Sequence, residues 1–195
     1  MMNPLLRDFP DEFETERLII RAPRPGTGAL LNEAVRESLD ELRPWMPWAD
    51  HEPTIEESEE VCRRAHAKFL LREDLTLHLW LKDGAPFGLP DGALAGCSGL
   101  HRMDWNVPRF EIGYWLRTCL HGHGLMTEAV KGIADFAFTH LEARRVEIRC
   151  DARNEKSAAV ARRAGFELEG HLRHETRDHN DSLRDTLIFS RVRDD

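Results

Sequence analysis

The segment from residue 109 to residue 150 constrains the possible folds of this chain more than any other stretch. Along it lie, in order, an alternating strand pattern over 109–117, a turn with Gly122 and Gly124, apolar residues at helical spacing over 126–141, and a second strand pattern over 144–150. Strands joined through a helix lie parallel in a sheet, whereas strands joined by short turns pair antiparallel. The segment therefore predicts one parallel crossover within a sheet.

The rest of the chain alternates between strand and helix patterns without repeats. Thr27 is a candidate N-cap for a first helix, Thr54 and Glu57 form a capping box for a second, and Asn154 and Gly165 bound a last one. Further strands are predicted over 17–23, 75–82, 93–102, 166–173 and 185–192. The order of elements predicts a single α/β (α+β) domain over residues 1–195, with a mixed, mostly antiparallel central sheet and helices on both faces.

Charge and composition exclude several classes of protein. The chain has a net charge of −8 and 32% charged residues, which argues against non-specific nucleic-acid binding because that requires a basic surface. No apolar run approaches the roughly 20 residues that cross a bilayer, and no signal peptide is visible. The four cysteines are far apart and form no C-x-x-C pair. We therefore expect a cytoplasmic protein with reduced thiols and neither a membrane nor a nucleic-acid partner.

The turn around Gly122 and Gly124 suits an anionic ligand. A strand, a turn and a helix in this order leave free backbone N–H groups at the positive end of the helix dipole. Glycine lets the backbone approach a ligand closely. No Walker A lysine follows, and Thr127 occupies the third glycine position of a dinucleotide fingerprint, so neither familiar phosphate loop applies. The pattern favours a pyrophosphate site, and a turn that binds nothing is the alternative.

The same turn also contains two histidines, which raises the question of a metal. His121 and His123 are one residue apart, and Cys119 and His101 are the only further ligands that the sequence suggests nearby. Nothing resembles a zinc-binding motif. We therefore expect no metal site.

Two long stretches of the sequence are similar to a known family. "EIGYWLRTCLHGHGLMTEAV" (111–130) and "NEKSAAVARRAGFELEGHLR" (154–173) resemble the GNAT superfamily of N-acetyltransferases, in particular its RimJ/RimL branch, which acts on ribosomal proteins. "ETERLIIRAPRP" and "LRPWMPWA" extend the similarity toward the N-terminus. The resemblance implies a GNAT-like fold and direct transfer of acetyl from acetyl-CoA to an amine acceptor. It points to a protein N-terminal α-amine and to a homodimer, with a small amine acceptor or a non-catalytic acyl-CoA-binding module as alternatives.

The resemblance also implies which residues contact acetyl-CoA. Asn154 matches the asparagine that binds the pantetheine arm, and the strand and turn match the pyrophosphate site. His121 stands where the family usually has Gln or Arg, and Met126 where it has Gly or Ala, so the side-chain contribution at these positions is open. The cofactor-binding residues expected in the strand and turn are Trp115, Leu116, Arg117, His121, Gly122, His123, Gly124, Leu125, Met126 and Thr127.

The chemistry requires a base for the amine and an acid for the leaving thiolate. Glu111 in the central strand and Glu175, just past a late strand, are the candidate bases, and a structural or solvated carboxylate is the alternative for each. Ser157 matches the family's serine near the thioester sulfur and is the candidate acid. His101 and His174 could relay protons, although a lone histidine on a strand is usually structural. Trp45 and Trp48, in a proline-rich loop between the first two helices, are candidates for an acceptor pocket or for packing against the core.

Overall fold

A computed structural model describes residues 3–178 and 180–193 of the chain. These residues form eight strands and four α-helices, which follow one another in the predicted order with one additional strand at the start. The strands are β1 Glu12–Glu14, β2 Leu18–Arg21, β3 Leu75–Leu81, β4 Leu94–Asp104, β5 Arg109–Leu116, β6 Arg145–Asp151, β7 Glu167–Arg177 and β8 Leu183–Val192. The helices are α1 Gly28–Leu42, α2 Ile55–Leu70, α3 Leu125–His140 and α4 Glu155–Arg163.

The strands form one sheet in the order β1-β2-β3-β4-β5-β6-β8-β7. Neighbouring strands pair antiparallel except β5 and β6, which are joined through α3 and pair parallel, as the crossover predicted. The parallel register covers only 109–111 of β5 against 145–147 of β6. Beyond Glu111 and Glu147 both strands continue without pairing to each other, so the sheet opens between them. The mixed, mostly antiparallel fold class is confirmed.

The helices cover both faces of this sheet. One core cluster joins α1 to Trp80 and Leu94, and a larger one joins α3 and α4 to the opposite face, where Leu75, Leu77, Leu79 and Leu81 of β3 are buried together. Cross-strand partners share a face because side chains alternate along a strand. Cys97, Gly99 and His101 of β4 therefore lie on the α1/α2 face with their β5 partners Trp115, Gly113 and Glu111.

The first of three differences from the sequence patterns is the short strand β1, which no pattern in the N-terminal stretch predicted. It forms a hairpin with β2 through Phe13 and Ile20. The second concerns β7, which runs on to Arg177. Glu175 therefore lies inside a strand, and the prediction that it follows the strand was wrong. The β7–β8 register is irregular between Leu172 and Thr176, so the alternation of residues along the strand did not predict that β7 continues to Arg177.

The third difference concerns a helix cap. The capping box of Thr54 and Glu57 is present at α2, and the Asn154 side chain accepts a hydrogen bond from the Ser157 N–H at α4, as predicted. Thr27 occupies the N-cap position of α1, as predicted, but its side chain makes no capping hydrogen bond to the helix. The hydroxyl instead donates to the Arg24 carbonyl, and Glu59 of α2 accepts from the Gly26 and Gly28 N–H groups.

Two features bear on the expected environment of the protein. The four cysteines are free thiols, which agrees with their spacing in the sequence. Among the described residues, no helix combines the length and apolar character that a membrane span would need.

Candidate active site

A cavity of about 1050 Å³ crosses the sheet where β5 and β6 separate. Its walls come from β5 residues 111–115, β6 residues 148–151, the first turn of α4, the segment between α1 and α2, and the β7–β8 pair. The cavity therefore opens on both faces of the sheet. A ligand on the α3/α4 face and a ligand on the α1/α2 face can meet within it.

The alternation of β5 assigns its side chains to the two sides of this cavity. Glu111, Gly113 and Trp115 share the α1/α2 face with their partners on β4, whereas Ile112 and Tyr114 lie toward α3 and α4. Glu111 is the last residue of β5 that pairs with β6. Its carboxyl group therefore lies at the mouth of the gap, on the α1/α2 side.

The turn between β5 and α3 has the backbone geometry of an anion site. Gly122 and Gly124 have φ of +83° and +78°, a region that favours glycine. A Cβ at Gly122 would meet no atom within 4 Å, so the space above this residue is open. In the described part of the chain, no hydrogen bond occupies the main-chain N–H groups of residues 122–127. The buried hydroxyls of Thr118 and Thr127 also have no partner there. These donors fit a pyrophosphate.

Ion pairs hold this turn from both sides. The buried Arg117 guanidinium donates to Glu33 over 2.7 Å and to Glu37, both on α1. On the other side, Arg17 donates to the His123 carbonyl over 2.9 Å and forms an ion pair with Glu128 of α3. Burial opposes ionisation of Glu128, but hydrogen bonds from the side chain of Thr15 and from Arg17 outweigh it and lower its pKa. The turn is therefore preorganised by charges that lie far away in the sequence.

These contacts limit what the predicted turn side chains can do. The Arg117 side chain is ion-paired with α1, and Leu116, Leu125 and Met126 are buried in the core. A ligand would therefore contact these four residues through their main chain. The His121 Nε2 lies 3.2 Å from the Leu116 carbonyl oxygen. The His123 ring packs edge-on against Phe87, with 5.1 Å between ring centroids. In residues 3–178 and 180–193, no three His, Cys, Asp or Glu side chains are grouped to hold a metal ion.

Ser157 lies in the cavity on the α3/α4 side and forms a pair with Tyr114. Its Oγ is 2.9 Å from the Tyr114 Oη, which also donates to the Ser157 carbonyl over 3.0 Å. Asn154 caps the same turn through its Oδ1, and both Asn154 and Ser157 line the cavity. Burial raises the pKa of Tyr114, so the phenol keeps its proton at neutral pH. Tyr114 was not among the candidate site residues predicted from the sequence. Two features of the sequence could have indicated it: it is the only tyrosine, and alternation places it on the face of its strand opposite to Glu111.

Both predicted carboxylates line the cavity, in different surroundings. Glu111 has one hydrogen-bonded partner among the described residues, the exposed side chain of Arg102 at 3.2 Å. Burial raises the pKa of Glu111. Glu175 accepts hydrogen bonds from Arg149 and, over 2.8 Å, from the Thr186 hydroxyl. The carboxylate of Glu111 is therefore the freer of the two to exchange a proton.

The tryptophans of the α1–α2 segment form the outer wall of the cavity on the α1/α2 side. The Trp48 ring is 47% exposed and lies 6.1 Å from the Trp115 ring, centroid to centroid. Trp45 also lines the cavity. The structure thus brings Trp45, Trp48 and Trp115 together around the entrance that leads to Glu111. This apolar wall suits the non-reacting part of an acceptor.

His78 of β3 lines the same cavity but is only 2% exposed. Burial, with a smaller contribution from the charge of Arg21, lowers its pKa to about 4. Its Nδ1 has no hydrogen-bond partner in the described structure. The ring is therefore neutral at physiological pH and contributes no charge to the cavity.

We expect this buried histidine to make stability depend on pH. Between about pH 7 and about pH 4.5 an unfolded chain protonates His78 near its ordinary pKa of about 6.5, whereas the folded chain does not. The unfolded state then binds more protons, and the free energy of unfolding falls by about 2 to 3 kcal/mol as the pH drops. Denaturant unfolding at both pH values should show a smaller fall in the free energy of unfolding for His78→Gln than for the wild type. An equal pH dependence in the variant would contradict the prediction, and His140→Gln serves as the control.

The fold and the cavity define an acyltransferase arrangement, and comparison with known proteins identifies the family. The sequence model of the acetyltransferase (GNAT) domain matches residues 17–167. The chain belongs to this family and is an N-acetyltransferase. GNAT acetyltransferases use acetyl-CoA.

Individual relatives agree with this assignment. YdaF of Bacillus subtilis (strain 168), provisionally named a ribosomal N-acetyltransferase, is 32% identical over 163 residues, covering 81% of this chain and 82% of YdaF. The ribosomal-protein-serine acetyltransferase of Escherichia coli (strain K12) is 33% identical over 101 residues, 52% of this chain and 56% of that protein. The solved structure of RimL, a ribosomal L7/L12 alpha-N-protein acetyltransferase in complex with coenzyme A, has a TM-score of 0.79 at 21% identity, covering 91% of this chain and 95% of RimL. The RimJ/RimL-like resemblance is confirmed.

Proposed function

We propose that this protein transfers the acetyl group of acetyl-CoA to the N-terminal α-amine of a protein, with a ribosomal protein as the acceptor. The observation that carries the proposal is the cavity that crosses the sheet at the gap between β5 and β6. It joins the hydroxyl pair of Ser157 and Tyr114 on one face to the Glu111 carboxylate on the other. An N-terminal peptide can enter past Trp45 and Trp48 and reach Glu111, whereas a thioester can reach Ser157 from the other face. The names of the relatives supply the class of acceptor.

Acetyl-CoA binding follows from the donors around the turn. The free N–H groups of residues 122–127, at the positive end of α3, would hold the pyrophosphate. The strand residues Trp115 and Leu116 and the α4 residue Asn154 would line the pantetheine arm. The acetyl-CoA thioester then carries the acetyl group to the gap between β5 and β6.

The residues of the cavity have separate roles in the reaction. An amine attacks only in its neutral form, and its nitrogen loses a second proton as the amide forms. Glu111, whose pKa is raised by burial, takes the proton that leaves the nitrogen during attack. Ser157 donates a proton to the departing thiolate and regains one from water once the thiol has left, while the Tyr114 phenol keeps its proton and holds the Ser157 hydroxyl in position. Glu175 holds Arg149 at the cavity wall, which makes it a positioning residue in this scheme.

Incubation with acetyl-CoA and a panel of acceptors tests the proposed function. The panel contains N-terminal peptides of ribosomal proteins, the same peptides with a blocked N-terminus, polyamines and amino acids. We expect free thiol release and a mass increase of one acetyl group with the unblocked peptides alone. Transfer to polyamines or amino acids alone would replace the proposed acceptor. Binding of CoA without thiol release across the panel would leave only an acyl-CoA-binding module.

An enzyme of this kind meets newly made ribosomal proteins in the cytoplasm, and that is the location we propose. The homodimer that the family resemblance implies stays a prediction. Sedimentation of the purified protein would test it.

A further inference from the structure

Asp74 and His101 form a hydrogen-bonded pair beside the cavity. The His101 Nδ1 lies 2.7 Å from one carboxylate oxygen of Asp74, and the Thr76 hydroxyl donates to the other oxygen over 2.7 Å. Burial opposes ionisation of Asp74, but the hydrogen bonds from His101 and Thr76 outweigh it and lower its pKa. An ionised carboxylate can only accept hydrogen bonds. In its neutral form the His101 imidazole therefore carries its proton on Nδ1, which leaves the lone pair on Nε2.

Two glycines create the space in which this ring lies. Gly99 of β4 and Gly113 of β5 are directly opposite each other in the register and on the same face as His101. A Cβ at Gly99 would lie 2.8 Å from the His101 Cε1, and one at Gly113 would lie 3.2 Å from Cδ2 and 3.5 Å from Nε2. Either side chain would thus displace the imidazole. The ring extends across the glycine pair, and its Nε2 reaches the strand position between Glu111 and Trp115.

The Nε2 of His101 is available to a ligand. His101 lines the cavity together with Glu111 and Gly113, and its side chain is 31% exposed. In the described part of the chain, no hydrogen bond occupies this nitrogen. An oriented imidazole with a bare nitrogen facing a cavity is the arrangement of a proton acceptor.

The proton balance of the reaction leaves a place for a second acceptor. An α-ammonium group and an acetyl thioester give an amide, a thiol and one free proton. The nitrogen therefore loses two protons, of which the thiolate regains one. In the proposed function Glu111 takes the proton that leaves during attack. The proton that must leave before attack, to convert the ammonium group to the neutral amine, is not assigned.

We propose that His101, oriented by Asp74, takes this first proton from the acceptor ammonium through Nε2. The ammonium N–H bond breaks, an Nε2–H bond forms, and the imidazolium then gives the proton to water at its exposed edge. The proposal rests on the proposed function. Asp74, before β3, contacts the ring, and charged or titratable groups from the surrounding elements line the same cavity. These are Arg102 on β4, Glu111 on β5, Arg149 on β6, and His51, Glu57, Glu60 and Arg64 on the α1/α2 side.

The pH dependence of His101→Gln tests this role. A peptide α-amine has a pKa of about 7.8, so about 5% of it is neutral at about pH 6.5. Loss of the base should then lower kcat/KM by up to about 20-fold at about pH 6.5, and by less than about twofold at about pH 9, where the amine is already neutral. Asp74→Asn should show a smaller loss with the same pH dependence. His140→Gln, on α3 and outside the cavity, should match the wild type.

A role limited to folding would change different quantities. His101→Gln should retain the wild-type affinity for CoA, and an equal loss of kcat/KM at both pH values, or no loss at either, would overturn the proposal. Wild-type protein that transfers acetyl to none of the amines would overturn the proposed function, and the base role with it. Normal turnover by the wild type, together with a loss of kcat/KM in His101→Gln that does not depend on pH, would overturn the base role alone.

Imidazole ¹⁵N resonances give a readout that does not depend on turnover. In the wild type we expect the His101 ring to be protonated on Nδ1 and bare on Nε2, and to shift toward a mixture of tautomers in Asp74→Asn. A wild-type ring protonated on Nε2 would overturn the proposed orientation, whatever the kinetics of the variants.

Discussion

Replacing Glu111 by Gln is expected to lower kcat/KM for an N-terminal peptide by about 10²- to 10⁴-fold, the usual contribution of a general base. Glutamine has nearly the same shape and can still contact Arg102, but it cannot accept a proton at the gap between β5 and β6. The wild-type rate should fall on the acid side as Glu111 becomes protonated, and because burial raises its pKa this fall begins above the usual range of a glutamate. In Glu111→Gln that part of the pH profile should be absent. Steady-state kinetics across the pH range measures both effects.

The matched control for this variant is Glu147→Gln. Glu147 is the register partner of Glu111 on β6, and its carboxylate binds Arg145 over 3.0 Å without lining the cavity. We expect the control to stay within a few-fold of the wild type. Full activity in Glu111→Gln would show that Glu111 is not the base, and abolition of activity in Glu175→Gln alongside it would point to Glu175 instead. Unchanged CoA affinity and melting temperature in Glu111→Gln would show that its loss is chemical.

The second large effect is expected at the turn, where Gly124→Val should weaken CoA binding by about 100-fold. A β-branched residue at a φ of +78° is strained by about 1 to 3 kcal/mol, and the turn can relieve that strain only by moving its N–H groups away from the pyrophosphate. The new Cβ would lie 3.7 Å from the Arg17 Nη2, so the protein itself has room for it. The fold should therefore persist. Calorimetric titration with CoA measures the affinity.

Gly165→Val is the matched control for this substitution. Gly165 follows α4, has a φ of +84° and has no neighbour within 4 Å of its Cβ position, so the strain is similar but lies outside the turn. It should lose similar stability and keep its CoA affinity. Wild-type affinity in Gly124→Val would contradict the assignment of the turn to the pyrophosphate, whereas an equal loss in both variants would indicate a general effect of destabilisation.

Several parts of the site could be predicted from the sequence because they depend on local geometry. The strand–turn–helix pattern around Gly124 places free N–H groups at the start of a helix wherever it occurs. The caps at Thr54 and Asn154 likewise involve residues three positions apart. The alternation of β5 shows which residues share a face with Glu111. The parallel pairing of β5 and β6 follows from the helix between them.

Other parts were decided by contacts between residues distant in the sequence. The alternation of β3 groups His78 with Trp80, but only the covering by α1 and α2 makes that face buried and keeps the imidazole neutral. Arg117 was expected to contact the cofactor, and only the packing of α1 shows that Glu33 and Glu37 engage its side chain.

The sequence by itself therefore determined the order of elements, the crossover and the turn, since periods of two and of 3.6 residues and the chemistry of glycine act over a few positions. Only the tertiary structure decided which side chains meet. The hydroxyls of Tyr114 and Ser157 come together across 43 positions, and Asp74 and His101 across 27. Such pairs depend on the strand order of the sheet and on where its two central strands separate, and both are set by the packing of the whole chain.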